Sequence, residues 1–168
     1  MKHVDVPYAD TWGAMEGLVD SGLVKRIGIC NLGTAMIRDL QSYARIKPAV
    51  HQIELHPYLA QSRMVRFCQE SDIRVTAFSP FGASSYVPLS MADANESLFD
   101  DELMQSIASA HGKTVGQIAL RWAVQRGTVA IPKTQTSLHL KENIEIYEFE
   151  LAADEMSAID GLDRNRRF

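Results

Sequence analysis

The sequence predicts a parallel α/β fold, part of a (β/α) barrel of TIM type, and three observations carry that expectation. Short apolar runs alternate with helix-period segments along the chain, the pattern of parallel strands joined by crossover helices. The strands end in polar residues: Cys30-Asn31, Gln52 with Glu54, Phe78-Ser79 and Lys133. A barrel carries its function at those ends. Neither a G-x-G-x-x-G turn nor a P-loop is present, which counts against a doubly wound nucleotide-binding sheet.

The elements follow in order. A helix is expected over residues 9–21, with Asp10 or Thr11 as its cap and Gly22 as its stop. Residues 26–30 (RIGIC) form a short run suited to a strand buried on both faces. A helix over 34–45 leads to a strand at 49–54, and a helix over 62–71 to a strand at 73–78. Residues 82–98 are rich in Ser, Ala, Asp and Asn and lack a period, so they read as a long ordered loop, a feature usually tied to function. Helices follow over 100–111 and 115–125, the second capped by Thr114, then a strand at 128–131. Two helices, over 137–145 and 152–161, complete the pattern. Four strands supply half of an eight-unit barrel, which needs at least about 200 residues.

Composition narrows the class. The 168 residues are 46% hydrophobic and 23% charged, as in one ordinary soluble globular domain spanning residues 1–168. A formal net charge of -4 offers no basic field for nucleic acid, and no apolar run is long enough for a membrane helix. Residues 1–5 lack a secretory apolar core, and two cysteines do not make a disulfide framework, so a cytoplasmic protein with reduced thiols is expected.

The blocks GLVKRIGICN (22–31), PAVHQIELHPY (48–58), AFSPFG (77–82), GKT (112–114), LRW (120–122), the stretch 129–143 and LDRNRRF (162–168) together resemble the aldo-keto reductase family. They fall in family order over nearly the whole chain. The long loop is most similar to that of the aldose and xylose-reductase-like members. The resemblance implies a (β/α)8 barrel, of which this chain is the second half, reducing aldehydes and ketones with NADPH or NADH. It places Asn31 and Gln52 on the nicotinamide carboxamide, with Cys30 standing where the family has serine. Phe78 stands for the tyrosine that stacks on the ring, and the loop Ser79-Pro80-Phe81-Gly82 covers the pyrophosphate. Lys133, Thr134 and Gln135 match the group at the adenosine 2'-phosphate, and Glu142 and Asn143 the adenine contacts. His139 stands where the family has an arginine, and an imidazole cannot replace a bidentate guanidinium. NADPH is therefore favoured through Lys133, with NADH use also expected.

The resemblance places the family's catalytic Asp, Tyr, Lys and His in the other half of the barrel. None of Tyr8, Tyr43, Tyr58, Tyr86 or Tyr147 matches that tyrosine. The chain therefore reads as a fragment, inactive alone, that takes a small carbonyl substrate only when completed. A non-catalytic NADP(H)-binding or partner-docking half-barrel is the alternative, and a remnant without a ligand a third reading. Its open edges would favour self-association.

Other residues have plainer readings. Lysines are mostly exposed, and only the position of Lys133, between a strand and a helix N-terminus, favours an anion. Asn31 could be a turn residue, and Gln52 and Glu54 inward barrel-layer groups; their shared place at strand ends favours ligand contact. No spacing among His3, His51, His56 and His111 suits a metal, so no metal site is expected. Cys30 reads as a packed thiol, and Trp12 and Trp122 as core.

Overall fold

In the computed structural model, residues 5–168 are described; His3 lies outside them. The described chain has four strands, β1 (Gly28–Cys30), β2 (Val50–Glu54), β3 (Arg74–Phe78) and β4 (Val129–Ala130). They form one parallel sheet in the order β1-β2-β3-β4. Seven α-helices accompany them: α1 (Tyr8–Asp20), α2 (Thr34–Tyr43), α3 (Ser62–Glu70), α4 (Glu102–His111), α5 (Val115–Gln125), α6 (Ser137–Ile144) and α7 (Ala153–Asp160). The expected order of elements is reproduced, with ends shifted by a residue or two. The span 82–100 is ordered into four short 3-10 turns.

Register separates the two faces of the sheet. Cys30 pairs with Gln52, Gln52 with Thr76, and Thr76 with Val129, so these four form one row. Ile29, His51, Val75, Ile53 and Ala77 belong to the opposite face and are all buried. Along the first row Cys30 and Val129 are exposed, while Gln52 and Thr76 are half-buried. The strands are thus buried on one face, not two. The run R-I-G-I-C reads the same in either case because glycine and cysteine tolerate both. Cys30 is accordingly an exposed thiol rather than a packed one.

Helix ends show which local signals acted. Thr114 accepts a hydrogen bond from the Gln117 amide while the Gln117 side chain accepts from Thr114 N–H, a reciprocal capping box that starts α5. Asp101 Oδ1 accepts from the Leu103 and Met104 amides and caps α4, and its Oδ2 accepts from the Tyr58 hydroxyl at 2.8 Å. Helix α1 begins differently. Asp10 and Thr11 lie inside it, and their amides donate to the Pro7 carbonyl. Pro7 is itself the cap residue, with extended backbone (φ −56°, ψ 142°), and no side chain accepts from the first-turn amides.

The core lies between the buried sheet face and the helices. Trp12 and Trp122 are both in it, and each indole N–H finds a partner: the Ile46 carbonyl and Asp160 Oδ1 respectively. Arg126 spans a long distance in sequence, donating to the Ala60 carbonyl at 2.8 Å while its guanidinium sits 4.4 Å from the Trp122 ring centre.

Candidate functional site

Because all strands run parallel, their carboxyl ends share one rim of the sheet. The chain turns sharply there. Asn31, directly after β1, and Ser79, directly after β3, both hold left-handed backbone (φ 56° and 47°). The Asn31 amide donates to the Gln52 carbonyl at 3.0 Å, and the next amide, of Leu32, donates to His51 Nε2 at 3.1 Å. Ser79 donates its hydroxyl to the Tyr86 phenol at 3.1 Å and its carbonyl accepts from the Gly82 amide.

Gly82 also has left-handed backbone (φ 60°), and it lies against the His56 ring. A Cβ added there would stand 3.2 Å from His56 Nδ1. Gly82→Ala therefore meets both a backbone strain and a rigid neighbour. Its expected cost is about 1–3 kcal/mol of stability, read as a lowered urea midpoint with an unchanged slope.

Beyond β4, Ile131 and Pro132 lead to Lys133, which is exposed; among the described residues the lysines in ion pairs are Lys113 and Lys141. Thr134 Oγ1 accepts from the Thr136 amide, and Thr136 caps α6 by accepting from the His139 amide. This stack of hydroxyls delivers the chain into a helix N-terminus, where the macrodipole favours an anion.

Two adjoining cavities open beside it. One, of about 290 Å³, is bounded by Phe81, Phe99, Gly116, Lys133, His139 and Glu142 among others. The second, of about 390 Å³, shares Phe81, Lys133, Thr134 and His139 with it and adds Gln135 and Pro88. Phe81 and Phe99 stand with ring centres 5.7 Å apart, tilted by 54°. A Cβ on Gly116 would reach 3.6 Å from Phe81 and 3.7 Å from Phe99, so the missing side chain keeps this wall open. Aromatic walls, a bare glycine and a lysine beside a helix N-terminus suit a flat heterocycle carrying a phosphate. The residues present therefore fit the adenosine-phosphate end of a dinucleotide.

Seven of the candidate residues, Phe81, Lys133, Thr134, Gln135, His139, Glu142 and Asn143, line these two cavities. Asn31, Gln52 and Phe78 line neither; Asn31 directly follows β1 and Phe78 ends β3, whereas Gln52 is the central residue of β2, within the ladder rather than at the strand end expected of it. Ser79 and Gly82 close the turn after β3, and Phe81 lies within it. Glu54 is not available to a ligand. It is 2% exposed, accepting from the Phe168 amide at 3.0 Å, lying 3.2 Å from His56 Nε2 and 3.8 Å from Arg167.

The sequence did not single out Phe99, Gly116 and Gln117 as site residues. Gly116 carried a usable signal, since a glycine in the first turn of a helix costs stability and often marks a close approach. Gln117 donates to the Glu142 carbonyl at 3.2 Å, tying α5 to α6 across the cavity.

A parallel α/β protein with a ligand cleft along the carboxyl rim of its sheet is the class that this geometry defines. The sequence profile of the aldo/keto reductase family matches residues 2–164. A NAD(P)H-dependent D-xylose reductase of Aspergillus niger is 47% identical over 161 residues, covering 95% of this chain and 50% of that protein. A probable NAD(P)H-dependent D-xylose reductase of Aspergillus clavatus is 43% identical over 170 residues, covering 100% and 52% respectively. An aldo-keto reductase of family 1 from Danio rerio is 42% identical over 168 residues, covering 100% and 51%. The chain belongs to the aldo/keto reductase family. It spans about half the length of these relatives. Among the described residues, no helix is long and apolar enough to cross a membrane.

Proposed function

We propose that residues 1–168 act as a single domain, the second half of an aldo-keto reductase barrel, and supply most of its grip on NADPH, with NADH also accepted. The observation that carries this reading is the convergence of Lys133, Thr134, Gln135 and His139 on one cleft beside the N-terminus of α6. Lys133 and the Thr134 hydroxyl would hold the 2'-phosphate, and Phe81 and His139 would flank the adenosine. Glu142 and Asn143 would meet its base. Asn31 and Gln52 would hold the carboxamide, and Phe78 would pack on the ring. The bound dinucleotide would supply a hydride to an aldehyde or ketone, the class of reaction that the xylose reductase relatives point to. The chain's own tasks are to bind, to orient and to shield.

We assign the proton for that reaction to none of the tyrosines among the described residues. Tyr58 gives its hydroxyl to Asp101, and burial, with that bond, pushes it up to about 12. Such a phenol holds its proton too firmly to act as an acid near neutral pH. We therefore propose that the chain alone does not turn over a carbonyl substrate, and that the acid comes from a complementary half-barrel. The open row Cys30–Gln52–Thr76–Val129 and the outer edges of β1 and β4 would then meet that half, or a second copy in its absence.

Fluorescence titration is the test. Both dinucleotides are expected to bind in the micromolar range, with background oxidation of NADPH on adding a simple aldehyde. Failure of both to bind would remove the cofactor reading, and clear turnover would remove the claim of a missing acid. Light scattering is expected to find more than the monomer mass; a clean monomer would count against edge pairing.

A further inference from the structure

We infer that His51, a residue outside the cleft, is a positioning residue that fixes Asn31 for the nicotinamide end of the cofactor. This rests on the cofactor reading proposed above and adds a device to it. Asn31 is in left-handed backbone, which asparagine tolerates better than most residues, so what fixes its turn in place is the pair of bonds that flank it. Strand β2 holds it from both sides. The Gln52 carbonyl accepts from the Asn31 amide at 3.0 Å, and the His51 ring accepts from the Leu32 amide at 3.1 Å.

The chemistry of His51 suits only that role. The ring is fully buried on the core face of the sheet, so it cannot touch a ligand. Because Nε2 accepts from Leu32, Nδ1 carries the proton and points to Cys68 Sγ at 3.5 Å. Burial pushes the imidazole below 6.5 and the Cys68 thiol up to about 11, which keeps both groups neutral. A neutral ring in a single tautomer is a fixed acceptor, and a protonated one could not accept from Leu32 at all. Loss of the ring would leave the Leu32 amide without its partner and free the turn that carries Asn31.

Two variants and two ligands separate positioning from general damage. His51→Leu keeps the apolar bulk and removes the acceptor; His51→Gln restores an acceptor near the Nε2 position. The His51→Leu protein is expected to bind NADPH about tenfold more weakly while holding adenosine 2',5'-bisphosphate within about twofold, since only the first ligand reaches the Asn31 end. His51→Gln is expected to recover most of the NADPH affinity. Hydrogen exchange reads the bond directly, and the Leu32 amide should exchange faster in His51→Leu and not in His51→Gln. The inference is overturned if Leu32 exchange is unchanged in His51→Leu, if NADPH affinity is unchanged, or if both ligands weaken together. A wild-type protein that bound neither ligand would instead overturn the cofactor reading, and this inference with it.

Discussion

Replacing Lys133 by alanine is expected to weaken NADPH binding by about tenfold to a hundredfold and to leave NADH binding nearly unchanged. The two dinucleotides differ only by the 2'-phosphate, so the contrast isolates one contact. Lys133 is exposed and has no carboxylate partner among the described residues, so its charge is available to an anion. It sits where the Thr134 and Thr136 hydroxyls order the approach to α6. A lysine acts there as a point charge, so added salt should weaken NADPH binding in the wild type and much less in Lys133→Ala. The companion change, His139→Arg, should act in the opposite direction. A guanidinium at that site can grip the phosphate with two parallel bonds, and a gain of about tenfold in NADPH over NADH is expected. Paired titrations of the three proteins at two salt concentrations decide the matter. Equal losses for both dinucleotides in Lys133→Ala would show that the lysine does not meet the 2'-phosphate.

Trp122→Ala should have the largest effect on stability. The side chain is fully buried, its ring is covered by Arg126, and its N–H is taken by Asp160 at 2.9 Å. Removing it leaves a large void, strips Asp160 of a donor and frees a half-buried guanidinium. Truncating a buried tryptophan costs about 3–5 kcal/mol, against a whole-domain stability of about 5–15 kcal/mol. The variant should melt about 6–20 °C lower in calorimetry, or fail to accumulate folded. A loss below about 1 kcal/mol would mean that the helices repack around the gap.

Local rules made much of this fold legible. Thr114 announced the start of α5, to which the structure adds the Gln117 half of a capping box, and the strand–helix alternation announced parallel strands. What stayed hidden depended on groups remote in sequence. Nothing in the run from Arg26 to Cys30 says that one face of the sheet is uncovered, because burial is a property of what lies across from it. Lys133 could be singled out by its place after a strand. Phe99 could not, since it reaches the same cavity from the loop before α4, and Gly116 offered only the oddity of a glycine in the first turn of α5. Glu54 looked like a strand-end ligand group, yet it is occupied by His56, Arg167 and the Phe168 amide. A carboxylate's partners, unlike its position, cannot be read from its own neighbourhood.

The sheet order β1-β2-β3-β4 has a consequence for how the molecule is made. Each strand pairs with the one synthesised just before it, so a chain emerging from the ribosome always has its next template in hand. The cost of closing a connection grows only slowly with its length, so even the long excursion between β3 and β4 does not break this order. The grip of Arg126 on the Ala60 carbonyl, 66 residues earlier, can form only after α5 has been made. It would lock an assembly already in place.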